Sequence, residues 1–269
     1  MIDLSWEGMS TEVHLFSMTR ENIRNWAVCL HDCHPLYLDP AFAVNKGFAD
    51  VLMPPTYPMV FWNTIDIPWR LSSQKTLLHE KQEFHYYAPI TADQPLKGWI
   101  KLENIEETRL STGTFQRVTE TMKIVSHQLL LMELLTTTLT PIRRAGERGK
   151  QQKASPIKMK SEAGSLSFPL EWVRQYAYCS GDNQAIHLNE QAARKAGFPR
   201  QVVQGMLIMG AAARCLHPVL DLGCYIKKYR CRFLSPLFAG DTLYFPPAPA
   251  GRMAGMNQDG RLVMKGSFQ

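Results

Sequence analysis

The sequence predicts an α+β protein built from two copies of one unit, in each of which a curved antiparallel sheet wraps a central helix. Three observations carry this prediction. Laid on itself at a shift of 150 residues, the chain matches Arg24, Ala27, Cys29, Asp32, Leu38, Ala43, Gly47 and Phe48 with Arg174, Ala177, Cys179, Asp182, Leu188, Ala193, Gly197 and Phe198 without a gap; at a shift of 147, Pro89, Ala92 and Leu96 meet Pro236, Ala239 and Leu243. Segment 201–216 is apolar nearly all round, the pattern of a helix buried on most sides. Stretches with β-branched content, separated by turn signals, follow it, and a matching set occupies the first copy.

The first copy opens with Thr19, Asn22, Ile23, Trp26 and Ala27, a capped helix with an apolar stripe. Pro54 and Pro55 suit the start of another helix, where a missing amide hydrogen has no partner to lose. Strands are expected at 82–90, 96–106, 112–125 and 129–142, with Ser126, His127 and Gln128 as the turn before the last. The second copy repeats the order: a short helix at 170–178, an irregular loop, and a helix at 189–196 stopped by Gly197. The buried helix comes next, its Gly210, Ala211, Ala212 and Ala213 letting strands wrap close. Strands are expected at 226–234 and 241–245, then a hairpin about Asn257, Gln258, Asp259 and Gly260. Pro246, Pro247 and Pro249 interrupt this second sheet. The resulting organisation is an N-terminal unit at 1–140, a linker at 141–165 and a C-terminal unit at 166–269.

The irregular loop reads Gly181-Asp182-Asn183-Gln184-Ala185-Ile186-His187. A carboxylate and an imidazole five residues apart do not share one face of a helix, so the chain leaves helical geometry at Gly181. A turn there lets Asp182 and His187 converge on one point, as an acid/base pair acting on one water requires. An isolated Asp-x4-His is common; the repeat and the buried helix give this one weight. The loop resembles the signature of the R-specific enoyl-CoA hydratases and MaoC-like dehydratases, Gly-Asp-x-Asn-Pro-aliphatic-His. Gly181, Asp182, Ile186 and His187 fall on it, while Gln184 stands where Asn is usual and Ala185 where Pro is usual.

The resemblance implies a double hotdog spanning roughly 16–268 and a hydro-lyase acting across the 2,3 bond of an acyl thioester. Asp182 and His187 would then be catalytic, with the backbone amide of Gly205, at the start of the buried helix, stabilising the thioester oxygen. In the first copy Tyr37 replaces His187 and His31 replaces Gly181, so that half is expected to be scaffold that widens the acyl pocket. Tyr57, Met59, Phe61 and Trp62 are its candidate lining, Tyr57 among the substrate-binding residues. Lys228, Arg230 and Arg232, on one face of a predicted strand, are candidates for the phosphates of CoA or of a carrier's phosphopantetheine. The spacing of Cys29, Cys33 and His34 is not that of a tetrahedral site, so no metal or other cofactor is expected.

The formal charge of +6 sits entirely in 141–160, where seven basic residues face one acid. No aromatic residues interleave with those charges, which argues against nucleic acid and for a solvated linker. The longest apolar run, 206–213, is too short to cross a bilayer. Six cysteines without regular spacing and no visible secretory signal point to reduced thiols and a cytoplasmic setting. The expected partner is an acyl-CoA or acyl-carrier-protein thioester, with pairing into a homodimer left open. Two rivals stand beside the hydro-lyase. One is a hotdog thioesterase, which would need a carboxylate on the central helix where 204–216 has none. The other is a non-catalytic acyl-thioester-binding protein, toward which Gln184 and Ala185 lean.

Overall fold

The computed structural model describes residues 1–71, 77–144 and 164–269. Most of the predicted linker, 145–163, therefore lies outside the described residues, and only its first and last positions are seen in strands.

In chain order, the first half runs β1 (His14–Phe16), α1 (Arg20–Cys29), α2 (Pro35–Leu38), α3 (Pro40–Asn45), α4 (Pro58–Thr64), α5 (Pro68–Leu71), β2 (Leu78–Tyr86), β3 (Leu96–Leu110), β4 (Gly113–Ser126) and β5 (Leu129–Arg144). The second half runs β6 (Gly164–Ser167), α6 (Leu170–Ser180), α7 (Ala185–Leu188), α8 (Glu190–Lys195), α9 (Gly205–Ala212), α10 (His217–Asp221), β7 (Lys228–Phe233), β8 (Thr242–Phe245), β9 (Arg252–Asn257) and β10 (Leu262–Phe268). Four of the second-half helices answer to four of the first, and each strand to its counterpart, so the repeat read from scattered identities is a repeat of structure. The caps explain why the helices begin where they do. Thr19 and Asn22 close a capping box on α1, Asp39 caps α3, and Asn189, its equivalent, caps α8.

All ten strands form one antiparallel sheet in the order β1-β3-β4-β5-β2-β7-β10-β9-β8-β6. Each half supplies five consecutive strands, and the two half-sheets meet where β2 pairs with β7, Phe84 opposite Tyr229 and Gln82 opposite Cys231. All four of these side chains are buried. They face the helices, while Lys81, Arg230 and Arg232 alternate with them and are exposed. The first half-sheet is the longer: β3, β4 and β5 have 15, 14 and 16 residues against 4, 6 and 7 in β8, β9 and β10. The proline run after Phe245 ends β8, as its missing amide hydrogens dictate.

Two helices differ from expectation. The prolines at 54 and 55 do not start a helix; residues 55–57 form a turn, and α4 starts at Pro58 in the first-turn position. The central helix of the second half is shorter than its apolar run. It begins at Gly205, ends at Ala212, and passes through a 3-10 turn, Ala213–Leu216, into α10 with Pro218 in its first turn. Seven of the eight residues of α9 are buried, and Tyr229 on β7 donates its hydroxyl to the Met209 carbonyl at 2.7 Å. A Cβ on Gly210 would stand 2.7 Å from a Leu30 methyl, so the two halves touch there without a side chain between them. Across the same boundary α1 packs on α6, with the Trp172 indole N–H donating to the Cys29 carbonyl at 2.7 Å and the Trp26 and Tyr176 rings 5.5 Å apart.

Phe84→Ala should cost about 3–5 kcal/mol, because it empties a fully enclosed site at the junction of the half-sheets. Urea unfolding followed by far-UV circular dichroism checks this, and a loss below about 1 kcal/mol would mean that the junction is soft.

Candidate active site

The Asp182–His187 loop is shaped by three local features. Gly181 caps α6 in the left-handed region, at φ 77°, where a Cβ is unfavourable and glycine is not. The Ser180 hydroxyl accepts the Asp182 amide at 3.1 Å, and the Asn63 side chain, from α4 of the other half, donates to the Ser180 carbonyl at 2.7 Å. The chain then makes the single turn of α7, which carries His187. Val202 and Ile186 exchange the second half of this support: the Val202 amide donates to the Ile186 carbonyl at 3.1 Å, while the Val202 carbonyl lies 2.7 Å from His187 Nδ1.

That last contact assigns the tautomer. A carbonyl only accepts, so Nδ1 carries the hydrogen and Nε2 presents a lone pair. Nε2 faces Asp182 Oδ2 at 3.7 Å, too far for a direct hydrogen bond. The histidine side chain is 7% exposed and the aspartate 25%, so the imidazole is enclosed and the carboxylate reaches the opening. Gln184 braces the loop: its Nε2 lies 3.4 Å from Asp182 Oδ1, and its Oε1 accepts the Leu77 amide at 3.0 Å.

Asp182, His187 and Gly205 line one cavity of about 260 Å³. Gly205 opens α9, where the first amides of a helix have no partner inside it. A Cβ there would stand 3.3 Å from the Phe233 ring, so the glycine also admits that ring. Of the four residues read as tunnel lining, Met59 and Trp62 line the cavity. Tyr57 and Phe61 do not. The Tyr57 ring packs edge-on against Trp26 and Phe61, and Phe61 stacks on Phe16 at 4.5 Å. Lys228, Arg230 and Arg232 lie away from this cavity as well. They line a separate groove on the outer face of the sheet with Lys81, Arg252 and Lys265. Arg70 and His79 also share the cavity wall, unannounced by any motif. The place of His79 depends on a shift in register between His79 and Lys81 that no local pattern announces.

The equivalent place in the first half is reduced to a cavity of about 20 Å³ lined by Tyr37, Met53 and Tyr86. His31 keeps the left-handed conformation of Gly181, at φ 53°, with its ring stacked 4.4 Å from Trp172. Asp32 is buried and bonded to His217 Nε2 at 2.7 Å, and His34 Nε2 lies 3.0 Å from Asp221. Tyr37 is enclosed, its hydroxyl without a partner among the described residues, and burial pushes its pKa well up. A phenol held that far from neutrality moves no proton at pH 7. Asp32 and His34 thus lie in separate pairs, while Cys29 is buried and Cys33 exposed.

Comparison with known proteins gives two family-model matches: the FAS1-like, dehydratase domain region over residues 5–128, and the MaoC like domain over residues 145–258. The chain is 26% identical over 253 residues to 3-hydroxyacyl-thioester dehydratase Y of Mycobacterium tuberculosis, covering 90% of this chain and 86% of that protein. It is 24% identical over 197 residues to the peroxisomal enoyl-CoA hydratase 2 of Arabidopsis thaliana, covering 66% of this chain and 62% of that one. It spans 54% of the UPF0336 protein of Thermobifida fusca, at 34% identity over 82 residues and 29% of this chain. Among solved structures, a MaoC-like dehydratase superposes with a TM-score of 0.80 at 19% identity, each chain 98% covered. Rv0216 of Mycobacterium tuberculosis, described as a double hotdog, superposes at 0.66 with 12% identity, over 97% of this chain and 95% of that one. The fold is therefore the double hotdog.

Gly181→Ala should destabilise by about 1–2 kcal/mol, the cost of a Cβ in the left-handed region. Chemical denaturation measures it, and an unchanged midpoint would show that the turn relaxes freely.

Proposed function

We propose, from a chain that belongs to the MaoC-like dehydratases, that this protein is a hydro-lyase adding or removing water across the 2,3 bond of an acyl thioester carried by CoA or an acyl carrier protein. The observation that carries the reading is the 3.7 Å gap between His187 Nε2 and Asp182 Oδ2 on the wall of an apolar-lined cavity. Two contacts of about 2.8 Å from these atoms meet at one oxygen with an angle of about 80°, which a single water accommodates.

In the hydration direction the pair holds that water over C3 of the enoyl group. The Nε2 lone pair takes one proton from that water as its oxygen bonds to C3, and the same proton passes from Nε2 to the α-carbon, so the one water supplies both the hydroxyl and the new C–H. In the reverse direction Nε2 removes the α-proton and gives it to the 3-hydroxyl, which leaves as water. Negative charge develops on the thioester oxygen in both directions. The amide of Gly205 at the positive end of α9 is the donor we assign to it, since it is among the first amides of that helix and has no partner inside it. The Val202 carbonyl keeps the imidazole in the tautomer whose reactive nitrogen faces the cavity. Against a thioesterase reading, α9 carries no acid.

Asp182→Asn and His187→Ala should each lower crotonyl-CoA hydration by about 10²–10⁴-fold with the circular dichroism spectrum retained. Turnover at the wild-type rate in either variant would defeat the assignment. No free thiol should accumulate during turnover, as followed with a thiol-reactive dye; stoichiometric thiol release would favour hydrolysis.

A further inference from the structure

A cavity meant only for an alkyl chain would be walled by aliphatic side chains. Met59, Trp62, Leu78 and Leu139 fit that purpose, but the first half adds Arg70 and His79 to the same wall. Both are held by buried partners. Glu120, with no exposed surface, accepts from the Trp69 indole at 2.6 Å and from Arg70 Nε at 2.9 Å, and also takes Arg70 Nη2, so the guanidinium charge is already matched. His79 Nε2 lies 2.9 Å from Oε1 of Gln82, a fully buried side chain whose same oxygen accepts from the Thr136 hydroxyl at 2.9 Å. In this orientation Gln82 turns its oxygen to both contacts and leaves its own Nε2 without a partner among the described residues; an amide oxygen only accepts, so His79 Nε2 bears the hydrogen and Nδ1 keeps a lone pair. Nδ1 has no partner among the described residues. Phe233 packs edge-on at 5.5 Å and fixes the ring's other side. Burial holds the imidazole pKa down, which keeps it neutral at pH 7.

The wall thus offers His79 Nδ1 as an oriented acceptor, beside the Thr138 hydroxyl, which has no partner among the described residues, and it offers no unmatched positive charge. We infer that the first half reads a hydroxyl group on the acyl chain, beyond C3, with His79 Nδ1 accepting its hydrogen. This rests on the acyl-thioester reading of the cavity. A ketone at the same place has no hydrogen to give. A terminal carboxylate would enter a cavity that already holds Asp182, with Arg70 committed to Glu120.

Equilibrium binding of saturated acyl-CoAs tests this apart from turnover, using hexanoyl-CoA, its 4-, 5- and 6-hydroxy derivatives, 5-oxohexanoyl-CoA and adipoyl-CoA. At least one hydroxy derivative should bind about tenfold tighter than hexanoyl-CoA, the effect of one net hydrogen bond, and tighter than the oxo and carboxy compounds. His79→Leu should reduce that preference to less than about twofold; Gln82→Met, which frees the ring without removing it, should reduce it in part and serves if the first variant fails to fold. Equal affinity for hexanoyl-CoA and every hydroxy derivative, or a preference that survives His79→Leu, overturns the inference. Crotonyl-CoA turnover without the preference sinks this inference alone. The preference without turnover sinks the hydro-lyase reading and leaves the hydroxyl recognition standing, and failure to bind any of these thioesters sinks both.

Discussion

The bond between His187 Nδ1 and the Val202 carbonyl is the constraint on which the site depends. It fixes the ring in the one orientation that turns a lone pair toward Asp182, and it does so with a backbone group that cannot rotate away. Everything around it serves to keep both ends in place. The Val202 amide is tied to the carbonyl of Ile186, the residue before the histidine, so the two segments form a closed ring of contacts. The next residue, Val203, is held to the Leu237 carbonyl at 2.8 Å, and Gln204 donates to the Val173 carbonyl at 3.1 Å; the entry to α9 is therefore fastened to the connection between β7 and β8 on one side and to α6 on the other. Two side chains separated by a solvent-sized gap have no direct bond of their own, so their placement comes from these neighbours.

The two halves have divided the work unequally. Both keep the backbone of the motif loop, including a left-handed residue at the end of the first helix, but only one keeps both the aspartate and the histidine. In the first half the histidine has become a buried tyrosine, and the aspartate has been recruited to hold His217 of the other half. The first half still contributes to the working site through contacts rather than reactivity. Asn63 steadies the Ser180 carbonyl, the Leu77 amide holds Gln184, and α4 and β2 supply one side of the cavity. Scaffold is thus an incomplete description of it.

Much of this was legible in the sequence because it follows from short-range rules. Thr19 with Asn22, Gly181 before Asp182, and Gly197 after α8 announce caps and turns through the conformations those residues favour, and the fixed spacing between copies announces the repeat. The loop signature located the cavity and its pair. Other features depend on how distant segments meet. An apolar run marks burial but not where helical hydrogen bonding ends, so the 3-10 turn after Ala212 was hidden. Alternation placed Lys228, Arg230 and Arg232 on one face of β7 without saying that this face turns away from the helices. Tyr57 has the composition of a pocket residue and the surroundings of a core one. His79 gave no signal because its position follows from the irregular pairing of β2 with β5.

The continuity of the sheet through β2 and β7 also limits what either half can be by itself. Each of those strands has its backbone groups satisfied by the other half, and the side chains beneath them, Phe84 and Tyr229, have no exposed surface in the whole chain. A fragment containing one half would present a bare edge above an oily floor, the arrangement that recruits another strand. Separately produced halves should therefore either find each other or aggregate, and the segment joining them does more than keep two independent units at hand: it supplies the high local concentration at which the correct edge is met first.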